Sequence, residues 1–258
     1  MDALVIAGGI PQPDEPLYAY TRGEPKAMLD IHGKPIIQWV LDAISGASQV
    51  ENVVVIGLAE SSRLTCSKPV TYLPNQAGMI ENIISGINKI LEIHPNATKF
   101  ILATSDIPGI TSERVDWEIN ATQDVDVDLC YFVVKREVIE QRYPGSRRTF
   151  TRLKDAEVCG ADLHVLHTSI ASLDPEIYQR LIASRKNPLK QAAILGFDTL
   201  LFMLMHTITL DKAVDKITAR LHITGRAMVS PYAEIAMDVD KPHQLEMMRE
   251  DLAKQVSH

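Results

Sequence analysis

Cysteine is scarce in this chain: Cys66, Cys130 and Cys159 are scattered, no C-x-x-C occurs, and an odd count argues against a disulfide framework. They read as buried thiols. Positive charge is also short, with 26 Lys and Arg against 33 Asp and Glu and a net charge of −7, so a general nucleic-acid surface is not expected. Any phosphate site has to be built from local charges and backbone N–H groups. Long apolar runs are missing: Leu4–Ile10 is too short for a signal-peptide core and has no basic segment before it. Ala192–Leu210 contains Gly196 and Asp198 and falls short of the roughly 20 apolar residues of a membrane span. A cytoplasmic protein without a transmembrane segment is expected. Two phosphate-binding motifs are absent as well, since no G-x-x-x-x-G-K-[ST] occurs and no G-x-G-x-x-G follows the first apolar run. That excludes a P-loop enzyme and an ordinary dinucleotide dehydrogenase.

What is there starts at residue 3. Ala3–Ala7 is an apolar run that stops at Gly8-Gly9, which reads as a buried strand feeding a loop whose backbone comes close to a ligand. Paired glycines let backbone N–H groups point at phosphate oxygens, and Lys26, at the end of the loop, supplies a compact positive charge to departing phosphates. A tight strand-to-loop turn would use the same glycines. Next, Lys34-Pro35 predicts a helix through about Ala47, with Ile36, Ile37, Val40, Leu41 and Ile44 at helical spacing. Val53–Leu58 and Val70–Leu73 read as strands, and this alternation opens a parallel α/β sheet covered on both faces.

Pro74-Asn75-Gln76-Ala77-Gly78 leads into a helix from about Met79 to Ile93, whose free N–H groups suit a base edge, ribose hydroxyl or phosphate. Lys99–Thr104 is another strand, ending in the turn Ser105-Asp106-Ile107-Pro108-Gly109. An aspartate there stands where parallel sheets place ligands, and its carboxylate could hold Mg²⁺ against a phosphate; a simple turn former is the other reading. Residues 111–122 predict a helix and Val127–Val134 a strand. Asp124-Val125-Asp126-Val127-Asp128 fails as a calcium loop, because Leu129 and Lys135 stand at the required glycine and glutamate. As a D-x-D it also suits a glycosyltransferase that holds a nucleotide sugar, or a solvated strand entrance.

The segment RYPGSRRTFTR, from Arg142 to Arg152, is the densest positive patch. Arginine forks phosphate or carboxylate, so Arg147, Arg148 and Arg152 are candidates to grip an anionic acceptor. Gly160-Ala161-Asp162 precedes strand-like LHVLHT, where His164 and His167 fall on opposite faces and share no metal. Helices are expected at Pro175–Ser184, Pro188–Leu195, Phe197–Met205 and Asp211–Ala219, with the apolar run from Leu200 to Met205 serving as core, homodimer contact or greasy acceptor pocket. Ala227–Ser230 and Glu234–Val239 read as strands, the second putting Asp238 and Asp240 on one face, before a helix from Pro242.

Taken together, LVIAGG with its later lysine, PKAMLDIHGKPIIQWVLDAI, TSDIPGIT and MDVDKPHQLEMM resemble the MobA-like nucleotidyltransferases, whose relatives build molybdenum-cofactor dinucleotides and activate sugars or polyols with CTP, UTP or GTP. The resemblance implies a three-layer α/β/α, GT-A-like fold with a mostly parallel mixed sheet. It implies one domain over 1–258 with an acceptor-side and helical insertion at about 140–225. The activity implied is transfer of a nucleoside monophosphate from an NTP to a phosphate-bearing small-molecule acceptor. Ala7, Gly8, Gly9 and Lys26 would take the phosphates, Gly78 and Asn82 the base and ribose, and Asp106 with Asp240 a Mg²⁺ ion. The turn at Asp162 would border the acceptor pocket. One departure stands out: relatives carry an arginine two to five places after the glycines, and here the nearest is Arg22, which would have to swing back over the triphosphate. A nucleotide-sugar-dependent glycosyltransferase and a non-catalytic nucleotide-binding protein are the alternatives.

Overall fold

The computed structural model describes residues 1–60, 63–76, 78–172, 199, 202–203 and 205–256. Its strands in chain order are β1 (Asp2–Ile6), β2 (Asp30–Ile31), β3 (Lys34–Pro35), β4 (Val53–Ile56), β5 (Val70–Leu73), β6 (Lys99–Thr104), β7 (Leu129–Lys135), β8 (Thr151–Arg152), β9 (Glu157–Gly160), β10 (Leu163–His167) and β11 (Gly225–Ser230). Among the described residues, nine of these form one sheet in the order β5-β4-β1-β6-β10-β7-β9-β8, with β11 on the free side of β7. The pairs β1·β4, β4·β5, β1·β6 and β7·β11 are parallel, while β10 and β9 run antiparallel to their neighbours. This is the mixed, mostly parallel α/β sheet expected from the strand and helix alternation.

The sheet is buried on both faces, which is why β1 and β4 are apolar without alternation. Ala3, Val5, Val53 and Val55 pack into one core with the Ile36–Gly46 helix, whereas Leu4, Val54, Ile56 and Phe100 pack into another with Ile87 and Ile90 of the Met79–Ile93 helix. A third cluster joins Val133 of β7 and Val158 of β9 to Leu210, Ala213 and Val214 of the Leu210–Arg220 helix.

Three boundaries differ from the sequence expectation. Lys34-Pro35 does not start the helix; it pairs with Asp30-Ile31 as a short hairpin, and helical geometry begins at Ile36, whose N–H donates to Leu29 O at 2.8 Å. Glu234–Val239 is not a strand: Ala233–Ala236 is a 3₁₀ turn followed by an open segment. That segment makes isolated bonds, Asp162 N to Ile235 O (2.8 Å) and Val239 N to Asp106 O (2.9 Å), instead of a ladder. The helix expected at Asp211–Ala219 is present as Leu210–Arg220. Those expected at 175–184 and 188–195, and most of 197–205, lie outside the described residues.

Candidate active site

β1 and β6 are parallel neighbours, so their carboxyl ends open on the same edge of the sheet. That edge receives Gly8-Gly9 from one strand and Asp106 from the other. Ser105 N donates to Ile6 O (3.0 Å), tying the two strand ends together, and Thr104 Oγ1 donates to Asp106 Oδ1. The long loop after β1 returns at Pro25, and Lys26 N donates to Gly9 O (2.9 Å), so the lysine is delivered beside the glycines. The 233–240 segment then crosses over the end of β6, held by the bond from Val239 N to Asp106 O. Gln244 Oε1 accepts from both Asp240 N (3.0 Å) and Lys241 N (2.9 Å), so the glutamine caps the Pro242–Val256 helix and the Asp240 carboxylate is left for other use.

The result is that residues 26, 106 and 240 meet. Lys26 Nζ pairs with Asp106 Oδ2 and, at 2.6 Å, with Asp240 Oδ1. Burial by itself would lower the lysine pKa, but attraction to Asp106 and Asp240 outweighs it and holds the ammonium charged well above its ordinary range. Asp238 joins them: Asp106, Asp238 and Asp240 each offer an oxygen, and these atoms lie within 4.8 Å of one another. An all-carboxylate set of hard oxygen donors fits a divalent ion such as Mg²⁺. Asp238 is paired with Arg148, which also lies 3.9 Å from Asp162. Burial and repulsion from Asp106 push the Asp162 carboxyl up to about 7, with Arg148 opposing the shift.

A cleft of 330 Å³ runs from this cluster along Gly8, Gly9, Asn75, Gly78 and Asn82. Gly8 is required by its neighbour: a Cβ there would fall 2.4 Å from Asn75 Oδ1. Asn82 is 3% exposed and spends its amide locally, Nδ2 donating to Asn75 Oδ1 (2.9 Å) and Oδ1 accepting from Gln76 N (2.8 Å). It therefore shapes the turn that faces Gly8. Ala7 is buried and hydrogen-bonded to β4 through its N–H.

Other candidates stand apart. Arg22 is exposed in the left-handed region at the end of the Tyr18–Thr21 helix and does not line the cleft. Arg147 and Arg152 are exposed, and of the three arginines only Arg148 reaches the acidic cluster. Asp128 of the D-x-D is tied into local structure, accepting from Thr224 N (2.8 Å), Thr224 Oγ1 (2.8 Å) and Ser169 Oγ. His164 Nδ1 accepts from Phe132 N (3.1 Å) and His167 Nδ1 from Ser169 N (3.0 Å), each on its own side. A second acidic group, Asp2, Glu51 and His94, lies at the opposite end of β1. There Asp2 holds Asn52 and His94, and Glu51 pairs with the terminal amine. Sequence reasoning missed Asn75 and the Asp238–Arg148 pair. The signals for them, an asparagine inside PNQAG and a D-x-D before Lys241-Pro242, were present without any indication of partner.

A nine-stranded mixed sheet, with a glycine turn, a lysine and acids gathered at the carboxyl ends of β1 and β6, defines an α/β protein of the nucleotidyltransferase type. The MobA-like NTP transferase domain model matches residues 3–169, and the chain belongs to that family of nucleotide-transferring enzymes. A hypothetical transferase from Thermus thermophilus is 29% identical, with a TM-score of 0.80 over 95% of this chain and 98% of that one. CMP:2-keto-3-deoxy-manno-octonic acid synthetase complexed with CTP, at 15% identity, shares the fold with a TM-score of 0.56 over 98% of this chain and 99% of that one. No curated protein matches the chain. Among the described residues, no helix is long and apolar enough to cross a membrane.

Proposed function

We propose that this protein transfers a nucleoside monophosphate from an NTP to a phosphate-bearing small-molecule acceptor, releasing pyrophosphate. The observation that carries the reading is the meeting of Lys26, Asp106 and Asp240 beside Gly8-Gly9. An acceptor oxygen attacks the α-phosphorus, a new P–O bond forms, and the bond to the bridging oxygen breaks so that pyrophosphate leaves. Such a transfer needs placement and charge compensation more than a side-chain nucleophile. Lys26, permanently charged, stabilises the leaving pyrophosphate, and the N–H groups of the glycine turn orient the phosphates. Asp106 and Asp240, with Asp238 beside them, would hold Mg²⁺, which when bound neutralises phosphate oxygens. The Asn75–Gly78 turn takes the base and ribose, with Asn82 as its brace. Arg148 and Asp162 border the acceptor, and Arg22, exposed and outside the cleft lining, contributes less than Lys26.

The test is pyrophosphate release with ATP, CTP, GTP and UTP, with and without Mg²⁺, after a thermal-shift panel has selected the nucleotide that stabilises the fold. Lys26→Ala is expected to lower the rate about 100-fold or more. Arg22→Ala is expected to lower it by less. Unchanged rates in both variants would mean that the triphosphate lies elsewhere.

A further inference from the structure

A second cavity of 330 Å³ lies on the side of β7 turned away from the main core, under the Leu210–Arg220 helix. Its walls are mostly apolar, among them Val133, Leu153, Val158, Val214 and Ile217. The pocket is partly open to the surface and has room for an apolar group. Water finds little to hold it, because Thr218 Oγ1 on the wall already donates to Val214 O (2.9 Å). Two polar side chains reach the sheet end of the pocket, Thr151 and Tyr131 with its hydroxyl. That hydroxyl sits over Gly160, where a Cβ would fall 2.4 Å from it. Gly160 therefore leaves the room that the tyrosine hydroxyl occupies.

This end of the pocket lies close to Asp162, whose charge acts on Tyr131. Gly160 ends β9, and two residues later comes Asp162, so their Cα atoms lie within about 7 Å. Asp162 is the residue flanked by Arg148 and by Asp106. Consistent with that proximity, burial and then the Asp162 charge hold the Tyr131 phenol above its ordinary value. A polar head and an apolar tail thus have adjoining places, one at Arg148 and Asp162, the other behind Tyr131.

We infer that the acceptor is an amphiphile, a phosphate head carrying an apolar chain, whose tail enters the pocket between β7, β9 and the Leu210–Arg220 helix while Tyr131 donates a hydrogen bond to it beside Gly160. The inference rests on the nucleotidyl-transfer reading above, whose acceptor it specifies. The experiment is calorimetric titration of the full chain, in Mg²⁺, with ethyl, butyl, hexyl and octyl phosphate below their micelle concentrations. Transfer of each methylene out of water predicts about a four-fold gain in affinity per carbon until the cavity is full. Ala213→Phe fills the cavity and is expected to flatten the series while leaving ethyl phosphate unchanged; Ala213→Leu is the milder intrusion if the first variant does not fold. No gain with chain length in the wild type, or the same gain in the filled variant, overturns the inference. NTP titration of the same samples separates the two claims. Nucleotide binding with a flat alkyl series leaves the transferase reading standing and removes the amphiphile. A chain-length gain without nucleotide binding does the reverse: it removes the transfer reading, and with it the acceptor role given to the cavity.

Discussion

At the scale of the residue, Gly8 and Asn75 are one unit. The amide of Asn75 occupies the volume that any side chain at position 8 would need, and Asn82 holds that amide from below. Gly8→Ala is expected to displace Asn75 and, by loss of about one hydrogen bond, to weaken NTP binding roughly ten-fold. Equilibrium titration checks it, and an unaltered affinity would detach Asn75 from the nucleotide. Gly8 was legible in the sequence because an apolar run ending in two glycines signals close backbone approach. Asn75 was not, because its partner is 67 residues away and nothing local marks the pairing. The same holds for Arg148: the arginine patch was visible, but which of its members turns inward depends on where Asp238 and Asp162 lie.

At the scale of the element, the 233–240 segment decides whether Asp240 reaches Lys26. Its alternating apolar residues read as a strand, yet its backbone bonds go singly to Asp162 and Asp106 and the segment becomes a clamp across β6. The clamp is anchored by Glu234, which accepts from Arg114 (2.9 Å) and Arg142 (3.0 Å). Arg142 also makes a two-pronged contact with Asp251 at 2.8 and 2.6 Å, joining the segment to the last helix. Arg142→Ala leaves two buried acids short of a partner. Since the arginine itself is 40% exposed, the expected loss is moderate, about 1–2 kcal/mol in urea denaturation, with a lower transfer rate as Asp240 loosens. An unchanged midpoint would show that Asp251 and Glu234 are satisfied without it.

At the scale of the whole molecule, pH tests the core. Glu118 is completely buried on the Ser112–Ala121 helix; Ser230 Oγ donates to its Oε1 (2.7 Å), and its Oε2 has no hydrogen-bond partner among the described residues. Burial, opposed only by that serine, pushes the carboxyl up to about 8 from an ordinary 4.5. Between those values the native state keeps a proton that the unfolded chain has released. Stability from this group is therefore fully present below about pH 4.5 and falls as pH rises through 8. Glu118→Gln, neutral throughout, is expected to flatten this part of the stability curve and to be more stable than wild type at pH 8 in chemical denaturation. A variant that retains the full slope would place the titrating group elsewhere.

Local pattern determined much of this protein by itself: the α/β alternation, the strand ending in glycines, the absence of P-loop and dinucleotide motifs, and the family motifs that carry the resemblance. These are properties of neighbours in the chain, where apolar runs and turn residues act over a few positions. Only the tertiary structure decided which distant groups meet. The pairing of β1 with β6 brings residues 8 and 106 to one edge, and the crossing segment carries residue 240 over them, across 214 residues from Lys26. The apolar pocket behind Tyr131 belongs to the same category, because its shape is set by how sheet and helix pack and leaves no trace in the order of residues.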